Sequence, residues 1–174
     1  VEAALASGAG FLGVFLCVSP DRLRDRGLSL AAVIDGAAEG IALARKRRPG
    51  LVIRFTPEDG VRSPMADVAA AAATAVAAGA DIVSAADTTG CLIPGTPRSL
   101  YDWLSRLRGE LARRGACPRF AVHCHNDRGL ALANALDGVR AGATLVDASV
   151  LGLGERAGIV DLAALPEPSP AAAG

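Results

Sequence analysis

The two histidines of this chain stand two residues apart, in Phe120-Ala121-Val122-His123-Cys124-His125-Asn126-Asp127-Arg128-Gly129. On a β-strand that spacing sends both imidazoles to one face. Imidazole is a common ligand for divalent metals, and a pair at the mouth of a parallel sheet leaves coordination positions open for carboxylate, water or substrate. Two core histidines bonded to backbone are the other reading of an isolated His-x-His. The flanks decide between them. An apolar strand leads in, Asn126-Asp127-x-Gly129 follows, and residues 130–136 run on as a helix. The imidazoles therefore fall at the C-terminal end of a βα unit, where the active sites of such folds lie.

The elements that must position this pair form a repeat. Apolar, β-rich runs at residues 11–18, 51–55, 81–85, 119–123 and 144–150 alternate with helical stretches at 28–48, 66–78, 97–114 and 129–141. Strand runs without strict polar alternation belong to a parallel sheet covered on both faces. Polar residues follow each run: Ser19-Pro20-Asp21, Thr56-Pro57-Glu58-Asp59 with Arg62, Asp87-Thr88-Thr89-Gly90, His125-Asn126-Asp127, and Gly152-Leu153-Gly154-Glu155-Arg156-Ala157-Gly158. Convergence of all five at one rim is the pattern of a barrel. A doubly wound sheet gathers its ligand groups at one switch point, commonly with a glycine-rich phosphate loop after the first strand, and no such loop is present. A closed eight-stranded barrel needs about 200 residues or more. The expected fold is thus α/β, an incomplete (β/α)8 TIM barrel covering roughly strands 4 to 8, in residues 1–162, with a Pro/Ala-rich flexible tail at 163–174.

Composition excludes several classes of function. Eighteen basic and eighteen acidic residues give no global field for nucleic acid or an anionic membrane, and aromatics make up only 3% of the chain, too few for stacking on single strands. Four cysteines without a Cys-x-x-Cys pair suit free thiols in a reducing, cytoplasmic setting rather than a disulfide frame. No apolar run reaches the roughly 18 residues of a membrane span.

With the histidine pair, the acidic strand ends and the last glycine loop in view, the chain resembles the acyl-CoA Claisen condensing enzymes: homocitrate, isopropylmalate and citramalate synthases, whose barrel is shared with hydroxymethylglutaryl-CoA lyase. The resemblance covers residues 1–162, and residues 123–129 and 150–159 carry it most specifically. It implies a transferase that joins acetyl-CoA to a 2-oxo acid with a divalent metal, Mg, Mn or Zn, held by His123 and His125. The lyase usually has a cysteine in its last glycine loop; Gly154-Glu155-Arg156 is similar to the synthase form. Arg54 matches the arginine implied to hold the distal carboxylate of 2-oxoglutarate in homocitrate synthases, and Ile159 and Asp147-Ala148-Ser149 also resemble that branch. A guanidinium in a barrel needs an anionic partner, because it cannot discharge by losing a proton. Ala121 stands where lysine-inhibited homocitrate synthases carry Glu.

Glu58 is the candidate catalytic residue, positioning substrate or polarising a proton donor, while Asp59 reads as a helix cap, as do Ser19 and Asp21. By resemblance Thr88 binds the 2-oxo acid carboxylate. Asp87, Asn126, Glu155 and Arg156 support these groups by hydrogen bonds from behind, with a Glu155–Arg156 ion pair fixing the last loop as the alternative. Cys124 alternates away from the histidines. Family members add a metal-binding Asp or Glu and a neighbouring arginine after their first strand, and neither residue occurs here. The chain alone is therefore expected to be inactive, and the complete enzyme a homo-oligomer. Isopropylmalate or citramalate synthesis, an aldolase or lyase of the same barrel type, a metal-chelating module, and a non-catalytic barrel subunit completed by a partner chain remain as alternatives.

Overall fold

The computed structural model describes residues 1–166. In chain order the elements are α1 (Glu2–Ala6), β1 (Phe11–Cys17), α2 (Pro20–Asp25), α3 (Leu30–Arg47), β2 (Val52–Glu58), α4 (Met65–Ala77), β3 (Ile82–Asp87), α5 (Leu100–Arg113), β4 (Arg119–Cys124), α6 (Ala131–Arg140) and β5 (Leu145–Val146). These five strands form one parallel sheet in the order β1-β2-β3-β4-β5. Strands joined to their immediate neighbours through helical crossovers make an arc of a (β/α)8 barrel, the incomplete barrel that the sequence implies. Within the described residues β1 and β5 do not pair with each other.

The helices form where an apolar stripe meets a good cap. In α5, Leu100, Trp103, Leu104, Leu107 and Leu111 are buried at helical spacing. Its N-cap Ser99 accepts a hydrogen bond from the Asp102 N–H at 3.1 Å and donates its hydroxyl to the Asp102 carboxylate at 2.9 Å. Helix α3 repeats the device with Ser29 as cap and with Val33, Ala37, Ile41 and Ala44 buried. Helix α6 lies so near β4 that a Cβ on Gly138 would come within 2.5 Å of Val122 Cγ1. That close approach requires glycine, and it fixes the helix behind the strand bearing the histidines.

Three elements differ from the sequence expectation. β2 runs on to Glu58, because all seven of its residues pair with β1, so Thr56 and Glu58 stand on the strand itself and not after it. The fifth strand, expected over 144–150, breaks at Asp147. Its N–H still donates to the Val122 carbonyl at 2.9 Å, but β6 (Ala148–Ser149) then leaves β4 to pair with β7 (Val160–Asp161). The chain after Pro20 forms a short helix, α2, with the Ser19 side chain buried and making no cap bond. After β7 a 3-10 turn covers Leu162–Ala164 and Leu165 packs on the core; residues 167–174 of the expected tail lie outside the described residues. No described helix is long and apolar enough to cross a membrane.

Candidate metal and oxo-acid site

Parallel register carries one side-chain parity across the sheet. Arg54 pairs with Ile82 and Gly13, and Ala86 with His123, so that Arg54, Thr56 and Glu58 of β2 share a face with Ala86, His123 and the residues following them in step, Thr88, His125 and Asp147. They line one open cavity of about 440 Å³, bordered by Phe15 of β1 and by Gly154, Glu155 and Ile159 of the last loop. A wider hollow of about 610 Å³ lies outside, between α5 and α6, and receives none of these strand-end groups.

The imidazoles of His123 and His125 meet edge to face, with their Nε2 atoms 3.2 Å apart. Behind them, His123 Nδ1–H donates to Asp147 Oδ2 at 3.0 Å. An ionised carboxylate only accepts, so the His123 proton sits on Nδ1 and its Nε2 lone pair faces the cavity. Burial, then the neighbouring His123 and Arg156, push the His125 pKa below its ordinary value against the pull of Asp127 and Glu155. That ring is therefore uncharged at neutral pH. Its Nδ1 is buried without a hydrogen-bond partner. Two nitrogen ligands at about 2.0–2.1 Å from one ion lie about 2.8 to 3.4 Å apart across octahedral and tetrahedral geometry. The 3.2 Å separation fits a divalent cation held by both Nε2 atoms, with Asp147 placed as a carboxylate that would orient a metal-binding histidine. Among the described residues no cluster of three or more His, Cys, Asp or Glu donors occurs.

Arg54 finds its anionic partner inside the chain. Its Nη1 donates to Asp147 Oδ1 at 2.7 Å and Oδ2 at 3.0 Å, its Nε is buried without a partner, and its guanidinium lies 5.5 Å from the Phe11 ring centre. Burial pulls the Asp147 carboxyl upward, but the His123 and Arg54 hydrogen bonds and the Arg54 charge outweigh it and hold it below its ordinary value. Asp147, which sequence reasoning used only as a mark of family branch, is thus the hub of the site. The available signal was its step of two from Leu145 on a strand beside the histidines.

The other candidates divide. Glu58 points into the cavity and is ion-paired with Arg22 of α2, a partner the sequence did not suggest. The Thr88 hydroxyl accepts the Asp59 N–H at 3.0 Å and its carbonyl accepts Arg156 at 2.6 Å. Asp87 is fully buried and takes the Cys91 and Leu92 N–H groups, while its carbonyl accepts the His125 N–H, so it fastens the turn beside the histidines. Asn126 Oδ1 accepts from the Ala131 N–H at the start of α6.

One expectation needs correction and one alternative gives way. Asp59 stands at the N-cap position of a 3-10 turn, Gly60–Arg62, but its side chain makes no cap bond: it is 1% exposed, adopts a left-handed φ of 60°, and clamps Arg62 through both oxygens at 2.7 and 2.6 Å. Of the two readings of Arg156, support by hydrogen bonds holds, since it grips Asp127 at 2.7 and 2.9 Å while Glu155 lies 3.9 Å away. A Cβ on Gly158, whose φ is +86°, would run into the Gly152 carbonyl, so only glycine lets this loop close and the Asn126 N–H reach the Gly158 carbonyl at 2.9 Å. Cys124, as expected, is buried in the core away from the cavity.

An arc of parallel strands joined by helical crossovers, with a histidine pair at the C-terminal end of β4 and an arginine–carboxylate hub beside it, defines part of a (β/α)8 barrel. The HMGL-like family model matches residues 1–166, and the chain belongs to that family. It is 43% identical over 165 residues to a homocitrate synthase of Pyrococcus abyssi, covering 94% of this chain and 42% of that protein. It is 36% identical over 167 residues to the mitochondrial homocitrate synthase of Schizosaccharomyces pombe, covering 94% and 38%. Among solved structures, a hydroxymethylglutaryl-CoA lyase from Pseudomonas aeruginosa superposes with a TM-score of 0.72 at 27% identity, covering 92% of this chain and 55% of that one. The HMG-CoA lyase from Brucella melitensis gives 0.69 at 28%, covering 92% and 58%. The chain thus spans about two-fifths of the length of the curated relatives it matches.

Proposed function

We propose that this chain supplies the metal and 2-oxo acid side of an acyl-CoA Claisen condensing site, with 2-oxoglutarate as acceptor and homocitrate as product after thioester hydrolysis. The observation that carries the reading is the pair of imidazole Nε2 atoms 3.2 Å apart, backed by Asp147 and facing the same cavity as Arg54 and Thr88. The homocitrate synthase relatives agree with it. A divalent cation bound at this pair supplies Lewis acidity toward the ketone of the acceptor. The chain's own residues do the rest of the holding. Arg54 offers a fixed guanidinium to a distal carboxylate, the Thr88 strand end contacts the oxo acid, and Glu58, steadied by Arg22, stands on the same rim to orient substrate or manage a proton.

The described residues provide two metal donors, and a third comes in this proposal from elsewhere in the protein or from a partner chain in a homo-oligomer, on which turnover then depends. A reducing compartment such as the cytoplasm suits four cysteines without disulfides; the name of the fission yeast relative places that protein in mitochondria.

Thiol release from acetyl-CoA in the full-length protein with Mn²⁺ tests the reading. Turnover with 2-oxoglutarate over 2-oxoisovalerate is expected, and Arg54→Ala should erase that preference at a cost of about 2–4 kcal/mol in kcat/KM. His125→Ala should weaken Mn²⁺ binding in calorimetry by about tenfold or more. Preference for 2-oxoisovalerate moves the assignment to isopropylmalate-type condensation. Unchanged Mn²⁺ affinity in His125→Ala overturns the metal site and leaves the non-catalytic barrel subunit.

A further inference from the structure

Asp147 is one carboxylate with two clients. Its Oδ2 receives the His123 Nδ1–H at 3.0 Å and an Arg54 N–H at the same 3.0 Å, while Oδ1 takes Arg54 alone at 2.7 Å. The two interactions compete for one negative charge. A carboxylate behind a histidine strengthens the opposite ring nitrogen as a metal ligand by accepting its N–H, and it does so less when a guanidinium already draws on it. The pair is partly shielded from water, with Arg54 21% and Asp147 27% exposed, so the competition is not washed out as at an open surface. The carboxylate is anchored at its backbone, where the Asp147 N–H donates to the Val122 carbonyl on β4, one residue before His123, whereas Arg54 reaches it on a long side chain from β2 across the Phe11 ring. Neither partner gains Asp147 without a shift at the other.

We infer that Asp147 is a positioning residue that couples acceptor choice to metal affinity: an acceptor whose distal carboxylate draws Arg54 away leaves the Asp147 charge to His123 and tightens the metal pair. The inference rests on the proposed reading of the site and adds a specificity device to it. An acceptor without a distal carboxylate leaves Arg54 on Asp147 and gains nothing from the hub. Linkage makes the effect reciprocal, so the metal in turn raises affinity for the dicarboxylic oxo acid over its monocarboxylic analogue.

The test is calorimetric titration of the full-length protein with Mn²⁺ alone, with saturating 2-oxoglutarate, and with saturating 2-oxovalerate, which has the same chain length and the same chelating end. In the parent, 2-oxoglutarate should tighten Mn²⁺ binding about tenfold more than 2-oxovalerate does. Asp147→Asn should weaken Mn²⁺ binding without acceptor by about 10- to 100-fold and shrink the difference between acceptors below about twofold. Arg54→Met reaches the device from the other end and does not depend on whether Asp147→Asn folds. It should bind Mn²⁺ without acceptor at least as tightly as the parent, and show no difference between acceptors. If Asp147 is merely a structural tie, Arg54→Met weakens Mn²⁺ binding, and that result overturns the inference. Parent-like Mn²⁺ affinity in Asp147→Asn, or a retained tenfold acceptor difference in either variant, overturns it as well while leaving the metal site standing. A parent protein that binds no Mn²⁺ under any condition removes the proposed function and the inference together.

Discussion

The two faces of the five-stranded sheet are built from alternate residues of the same strands and end in opposite environments. On the outer face Ile53, Phe55, Val83, Ala85 and Val122 are at most 1% exposed beneath α3, α4, α5 and α6. On the inner face Phe15 is 68% and Phe11 42% exposed, and the same face carries Arg54 on β2, the histidines on and after β4, and Asp147 after β5. The outer face is covered by helices adjacent in sequence to the strands they cover, so each βα unit brings its own lid. Among the described residues no helix covers the inner face, whose groups are brought together from β2, β4 and the segment after β5. Stability is therefore concentrated on one side of the sheet and chemistry on the other.

The largest effect expected from this contrast is in the helical layer. Leu107→Ala, at a fully buried position of α5, should cost about 2–5 kcal/mol in urea denaturation, whereas Phe15→Ser on the open face should change stability by less than about 0.5 kcal/mol. Comparable losses at both positions would mean that the inner face is sealed in solution. A second contrast is chemical. Cys117 is exposed, while Cys124 is buried and its thiol is pushed far up by burial and by the nearby Asp87 and Asp147 charges. Timed alkylation at neutral pH should modify Cys117 promptly and reach Cys124 only through opening events of the outer layer. Equal rates would break the distinction between the faces.

The smallest effect sharpens the rim. The Arg156 hydrogen bond, and after it the Arg156 charge, hold the Asp127 carboxyl below its ordinary value against the upward pull of desolvation. A depressed carboxylate contributes fully above the unfolded value of about 3.9, and the contribution is lost as pH falls below that toward the folded value. The clasp joining the last loop to the histidine strand should therefore persist through neutral and mildly acidic pH and release only in strong acid. Carboxyl-carbon NMR of Asp127 should titrate below about 3.9, and Arg156→Met should return the midpoint to the ordinary value. A normal midpoint in the parent would show that the loop is not held in this way.

The sequence by itself determined the repeat and the pairing of the two histidines on one strand face. Both are local: the apolar stripe of α5 with its Ser99 cap, the strand at 119–124 and the i, i+2 spacing of His123 and His125 follow from backbone periods that a short window contains. It also put Arg54, Glu58 and Thr88 on the side of the sheet that faces the cavity, although β2 runs three residues past its expected end. Only the tertiary structure decided the partners. Arg54 and Asp147 are 93 residues apart, Arg22 and Glu58 36, and Arg156 and Asp127 29, and each pair forms because parallel register or loop closure brings the residues together. No local pattern encodes which carboxylate an arginine will meet across a sheet. That is why Asp59 read as a helix cap, Asp127 was not named as the partner of Arg156, and Asp147, the carboxylate on which the candidate site turns, was not recognised as part of it.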